Sequence, residues 1–227
     1  MPHVIVFDVI ETLLDLRALD PHFQRIFGTE RAREDWFNQM LQLALVSNIV
    51  DSYRDFSELG SSALAMTAER YAVQLSPGDR QDVQNTIRAL PPHPDVQPAL
   101  EQLRSAGFRL ATLTNSTREV SRSQLEHAGL ADFFEKTLSV DSVRRYKPAH
   151  EPYDMAAKEL NVDASAVVLV AAHAWDIAGA HHAGYGTGFV ARPGTVLDPH
   201  GPKPTYSALN LAELAQQLVS ARQSHDA

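Results

Sequence analysis

The chain has 227 residues, 44% hydrophobic and 21% charged, the make-up of an ordinary globular protein long enough to bury a sizeable core. Its formal net charge of -8 argues against nucleic acid or an anionic membrane as partner, since both select basic surfaces. The absence of cysteine removes disulfides, thiol nucleophiles and thiolate metal sites together; with no basic-then-apolar leader and no apolar run of bilayer length, the expected setting is the cytoplasm.

Val4–Phe7 is an apolar run of the kind buried on both faces of a parallel sheet, and it ends in Asp8 followed by a turn. Ligands collect at such strand ends in open α/β sheets, so Asp8 stands where a nucleophile or a metal ligand is useful. From Leu14-Asp15 to about Leu90 no strand-like run occurs. Apolar spacing there predicts helices over 20–27, 30–49, 55–73 and 77–90, the last opening with a Ser76 cap and a first-turn Pro77. Pro91-Pro92-His93-Pro94 is a boundary that a helix does not easily cross. Strand and helix then alternate: helix 95–106, strand 109–113, helix 117–128, strand 136–140, helix 152–160, strand 167–170, helix 175–183, strand 188–191 and a closing helix 211–219. Alternation implies a parallel sheet with right-handed crossovers. The expected fold class is α/β: a Rossmann-like parallel-sheet core (residues 1–14 and 91–227) with an all-helical cap (15–90) inserted after the first strand, over Asp8.

The carboxyl ends of parallel strands share one edge, so residues far apart in sequence converge there. The first strand end supplies Asp8, Glu11 and Thr12; the second supplies Thr114, Asn115 and Ser116; Lys147 with Pro148 follows the third, and the fourth supplies His173, Trp175 and Asp176. In order and spacing these residues resemble the four motifs of the haloacid dehalogenase superfamily over nearly the whole chain, with the helical insertion in the place of that superfamily's cap. Lys147 followed by Tyr153, and the run Ala174-Trp175-Asp176-Ile177-Ala178-Gly179-Ala180, resemble the 2-haloacid dehalogenases in particular.

The resemblance implies a hydrolase acting on a carbon-halide bond. The Asp8 carboxylate would displace halide from a small 2-haloalkanoic acid, and water would hydrolyse the aspartyl ester to the 2-hydroxy acid. Lys147 would keep Asp8 ionised, while Thr12 and Thr114 would position Asp8 or the substrate carboxylate. Asn115 would donate to the departing halide beside Phe56 and Trp175, and Tyr153 with Asp176 would orient Lys147 or the water. Phosphatases of the superfamily carry a second aspartate two residues after the nucleophile and hold magnesium with a further carboxylate near the fourth strand end. Here those positions are Ile10 and Ala171-Ala172. A halide leaving group needs neither proton donor nor metal, so no cofactor is expected. The expected partners are a 2-haloacid and water, with homodimerisation through the cap helices. Two alternatives stay open: a phosphatase holding magnesium on Asp8 and Asp176, and a catalytically silent member of the fold that binds a small carboxylate or a protein.

Two positions depart from the dehalogenase pattern. His173 stands where many members have asparagine, and Glu11 replaces the usual glycine before the threonine. Should the strand ends bring them together, His173 is the base for the hydrolytic water and Glu11 orients its ring. The family also usually places an arginine on the first long cap helix. The matching stretch, Trp36-Phe37-Asn38-Gln39, has none, which leaves Asn38, Gln39 or Gln42 as neutral substitutes.

Overall fold

Six strands, β1 (Val4–Phe7), β2 (Arg109–Thr114), β3 (Lys136–Ser139), β4 (Val167–Ala171), β5 (Gly186–Val190) and β6 (Tyr206–Ala208), form one parallel sheet in the order β3-β2-β1-β4-β5-β6. The computed structural model describes residues 3–226, so the outermost ends of the expected core, 1–2 and 227, lie outside the described residues. β1 sits centrally because all four of its side chains are apolar and fully buried, with Ile5 and Phe7 facing one layer and Val4 and Val6 the other. The chain leaves β1 for β2 on one side and returns to β4 on the other, so the strand order reverses at the end of β1. Phe7 is level with Thr112 on β2 and Val170 on β4, which puts the residues just beyond these three strands side by side.

Helices cover both faces. Between β2 and β6 in sequence lie α6 (Arg118–His127), α7 (His150–Leu160) and α8 (Ala174–His182); α5 (Val96–Ser105) precedes β2 and α9 (Leu211–Asp226) closes the chain. Tyr153, Ala156 and Leu160 of α7 and Ile177 and Ala180 of α8 pack on the Val4/Val6 face. Leu100 and Leu103 of α5 and Leu211, Leu214 and Leu218 of α9 pack on the Ile5/Phe7 face.

Between β1 and α5 stand four further helices: α1 (Asp20–Phe27), α2 (Arg31–Ile49), α3 (Phe56–Arg70) and α4 (Pro77–Arg88). α2 and α3 form the main pair, where the Trp36 indole N–H donates to the Gly60 carbonyl at 2.9 Å and a Cβ at Gly60 would meet Met40 Sδ at 3.1 Å. The expected Ser76 cap of α4 is present, as one half of a reciprocal capping box with Asp79. α3 stops three residues short of the expected 73, and Ala72 just beyond it takes a left-handed φ of 53°. β6 was invisible to alternation because it is only three residues long and follows a proline- and glycine-rich loop.

The cap grips the loop that carries Lys147. The Asn48 side chain donates to the Tyr146 carbonyl at 2.8 Å and accepts from the Tyr146 N–H at 2.9 Å, and Arg145 Nη1 donates to the Asn48 carbonyl at 2.6 Å. Among the described residues no helix is long and apolar enough to cross a membrane.

Candidate active site

Asp8 begins where β1 ends. Its backbone N–H still donates to the Val170 carbonyl at 3.0 Å, while its side chain turns into a nearly closed space and is only 7% exposed. Three groups hold the two carboxylate oxygens. Lys147 Nζ lies 2.9 Å from Oδ1; the Thr12 hydroxyl donates to Oδ2 at 2.7 Å, and His173 Nδ1 lies 3.3 Å from the same oxygen. Thr12 is fixed in turn, its Oγ1 accepting the Ala172 N–H at 3.0 Å. Burial alone would raise the Asp8 pKa, but the Lys147 charge, the His173 contact and the Thr12 hydrogen bond outweigh it and hold the carboxyl well below the usual range.

Lys147 is wholly enclosed. Besides Asp8 its ammonium meets Asp176 Oδ2 at 2.6 Å and the Leu113 carbonyl at 2.9 Å, three acceptors for three protons. Burial works against the ammonium, yet Asp176 and Asp8 together raise its pKa. Asp176, at the N-terminal turn of α8, is pushed up by burial and by the Asp8 charge against the pull of Lys147. Its other oxygen accepts from the Tyr153 hydroxyl at 2.6 Å. Burial and the Asp176 charge hold that phenol well above its ordinary pKa, so it remains a donor. α8 approaches this closely because Gly179 has no side chain: a Cβ there would stand 2.7 Å from Pro148 Cβ.

Glu11 and His173 do meet. His173 Nε2 lies 2.9 Å from Glu11 Oε2, so one imidazole joins the Asp8 carboxylate to the Glu11 carboxylate. Burial lowers the His173 pKa, but the hydrogen bonds to Asp8 and Glu11 and their charges prevail and lift it to about 9. The ring stacks on Trp175 with centroids 5.1 Å apart and has Phe37 of the cap on another side at 6.0 Å. Glu11 itself has a left-handed backbone, φ 63°, which costs a non-glycine residue roughly 1 kcal/mol or more.

The geometry thus gathers a buried carboxylate, its counter-cation and an imidazole at one strand edge, under the helices that follow β1. The profile of the family described as haloacid dehalogenase-like hydrolase matches residues 2–184. The chain belongs to that family. It is 29% identical over 220 residues to the (S)-2-haloacid dehalogenase of Pseudomonas sp. (strain YL), covering 96% of this chain and 94% of the relative. It is 30% identical over 224 residues to (S)-2-haloacid dehalogenase 1 of Pseudomonas sp. (strain CBS-3), with 96% and 97% covered. In fold it is similar to the solved structure of the L-2-haloacid dehalogenase from Xanthobacter autotrophicus, with a TM-score of 0.89 at 23% identity over 96% of this chain and 98% of that one.

Magnesium, which phosphatases of this superfamily hold, does not fit the side chains present. The Lys147 ammonium already bonds Asp8 Oδ1 and Asp176 Oδ2, so a metal shared by these two oxygens would have to compete with it. Among the described residues no group of three or more His, Asp or Glu side chains could hold a metal ion.

The remaining expected residues divide. Asn115 Oδ1 accepts the Lys147 backbone N–H at 3.0 Å, and its Nδ2 is buried with no hydrogen-bond partner among the described residues; the same is true of Trp175 Nε1. Thr114 Oγ1 accepts the Ser116 N–H at 3.1 Å, shaping the turn that presents Asn115. Phe56 is buried against Tyr146 and lines a cavity of about 190 Å³ between cap and core, whose other walls include Trp36, Phe37, Leu64 and Val83 of the cap and Ile10 and Ser116 of the core. Asn38 does not reach the site. It is exposed, because the buried stripe of α2 runs through Arg33, Trp36, Phe37, Met40 and Ala44 and leaves position 38 on the outer face. Gln42 is exposed as well, and Gln39 is occupied by Gln42 and Arg70.

The cap nevertheless does send an arginine inward. Arg33 is 7% exposed, with Nη1 3.6 Å from Glu11 Oε1 and Nε 2.5 Å from Asp20 Oδ1. Its signal lay in the sequence, one turn before Trp36 and Phe37 on the same apolar stripe. Phe37, likewise missed, is the cap's ring against His173.

Proposed function

We propose that this protein hydrolyses small 2-haloalkanoic acids to 2-hydroxy acids and halide through an ester on Asp8, without a metal. The observation that carries the reading is the single buried ammonium of Lys147 bonded to Asp8: it keeps the nucleophile ionised and already serves as the cation of both buried carboxylates. Ile10 supplies no acid for an alkoxide leaving group, which halide does not require. The activity agrees with that in the names of the relatives.

In the first step an Asp8 oxygen attacks C2, the carbon-halogen bond breaks, and its electron pair leaves with the halide. The buried, unpartnered donors Asn115 Nδ2 and Trp175 Nε1 are suited to receive it. Esterification removes the Asp8 charge that favours the imidazolium, so His173 loses its extra proton to solvent. Neutral His173 then takes a proton from water as the hydroxyl adds to the Asp8 carbonyl carbon. The tetrahedral intermediate collapses, the ester C–O bond breaks, and the alkoxide takes the proton of the added hydroxyl and leaves as the 2-hydroxy acid. Asp8 returns as a carboxylate and His173 as an imidazolium, with one proton released per turnover. Glu11 orients the ring, and Tyr153 and Asp176 hold Lys147.

The cavity of about 190 Å³ beyond Ile10 and Phe37 is the place for the substituent on C2, and its apolar walls favour an alkyl chain over hydrogen. Leu45, Val46, Ile49, Val50 and Met66 form an exposed apolar face on α2, the residue after it and α3. That face supports a homodimer through the caps, which sedimentation would register as twice the chain mass. The test of the function is direct: chloride release from 2-chloropropionate in the presence of a chelator. Phosphate release from a phosphomonoester, abolished by the chelator, would instead support the phosphatase reading.

A further inference from the structure

Glu11 divides its carboxylate between two elements. Oε2 faces His173 of the core at 2.9 Å, and Oε1 faces Arg33 of the cap at 3.6 Å. The Glu11 main chain is held from the opposite side, its carbonyl 3.1 Å from His93 Nε2, and the next carbonyl, of Thr12, accepts from Arg192 Nε at 3.1 Å and Nη2 at 2.9 Å. The backbone is thus clamped by the core in a left-handed conformation, and the side chain is what the cap can direct. α2 touches the histidine side as well, since Phe37, one turn beyond Arg33, lies against the His173 ring.

We infer that Arg33 is a positioning residue for ester hydrolysis, holding Glu11 so that the imidazole of His173 is aimed and poised only when the cap is seated on the core. The inference rests on the proposed role of His173. Arg33 has Asp20 and Glu34 as partners within the cap, and Glu11 is the one carboxylate across the seam that it pairs with among the described residues. The charged groups around His173 are Asp8 and Glu11 in contact, Lys147 and Asp176 behind Asp8, Arg33 with Asp20 and Glu34 on the cap side, and His93 with Asp15 behind the turn. In this set, removing the Arg33 cation leaves Glu11 free to hold the imidazolium more strongly and to swing away with the ring. Both effects slow the second step at neutral pH and leave halide displacement alone.

The test is a double-mutant cycle read on the two steps separately. Arg33→Met should leave first-turnover halide release within about twofold, slow ester hydrolysis about tenfold, and move the pH midpoint of hydrolysis upward. In a Glu11→Gln background the same substitution should change hydrolysis less than about twofold, because the residue through which Arg33 acts is already neutral. Equal losses in both backgrounds, or a slowed halide release with unchanged hydrolysis, would overturn the inference. Should Arg33→Met fail to fold, Arg33→Lys carries the same cycle, with partial retention of the hydrolysis rate expected and a full drop in both backgrounds contradicting it. His173→Ala separates the underlying reading: unchanged hydrolysis in that variant removes the base itself, whereas slowed hydrolysis there with no coupling in the cycle removes only the role of Arg33.

Discussion

The His173 ring meets the Asp8 carboxylate on Oδ2, the oxygen that Lys147 does not hold, at 3.3 Å. The imidazole is therefore a counter-ion to Asp8 as well as the base proposed for the second step. That dual position has a thermodynamic signature. The folded-state pKa of His173 is raised from 6.5 to about 9, so its contribution to stability is fully present below pH 6.5 and is lost as pH rises through about 9. The size is on the order of 3 kcal/mol. Denaturant unfolding of the wild type and of His173→Asn at pH 6 and pH 9.5 checks it: the wild type should lose that much more than the variant between the two, and parallel losses would contradict the assignment.

Replacing His173 by Ala should separate the two chemical steps. Halide should still appear in a first-turnover burst, because the displacement needs no base. Hydrolysis should then fall by about 10² to 10⁴, the usual worth of positioned acid-base help. Rapid-quench measurement of halide against hydroxy acid reads both, and an unchanged steady-state rate would remove His173 from the mechanism.

Lys147 is a harsher position. Lys147→Met leaves Asp8 and Asp176 buried without their shared cation, so one carboxyl must take up a proton. Loss of one partner of a buried ion pair costs about 3 to 5 kcal/mol. The expected result is a melting temperature lowered by several degrees, with halide release down more than about 10³-fold and its acid limb moved to higher pH. Retained activity with an unmoved acid limb would mean that Lys147 does not set the ionisation of Asp8.

The cavity between cap and core is open to a substitution that leaves the catalytic groups in place. Val83 of α4 is buried in its wall, remote from Asp8 in the chain. Val83→Phe should lower kcat/KM for 2-bromohexanoate about tenfold relative to 2-bromopropionate, the discrimination expected when a pocket loses room for one or two methylenes. An unchanged ratio would place the substrate chain elsewhere.

Much of this is legible in the sequence. The Val4–Phe7 run, the alternation after Pro94 and the strand-end positions of Asp8, Asn115, Lys147 and His173 follow from short-range pattern and topology, and the sheet order brings them together. Asn38 failed for a reason of angle. Aligned on sequence it fell where an arginine is usual, but a helix turns about 100° per residue, and Phe37 beside it takes the inward face. Arg33 lies on the same stripe, but a charged residue on an apolar face does not by itself mark a site. The cavity, the Arg192 and His93 clamps on the Glu11–Thr12 turn and the left-handed Glu11 depend on contacts across more than 80 positions, which no local pattern encodes.

The proposed covalent esterification of Asp8, with release by water at its own carbonyl carbon, underlies each of these expected outcomes. Mass spectrometry of the Asp8 peptide after a single turnover of 2-chloropropionate in heavy-oxygen water, with enzyme in excess, tests it most directly. One heavy oxygen in the Asp8 side chain and none in the first-turnover 2-hydroxy acid is the result predicted. A heavy oxygen in the product with an unlabelled Asp8 would mean that water attacks the substrate directly and that no ester forms on Asp8.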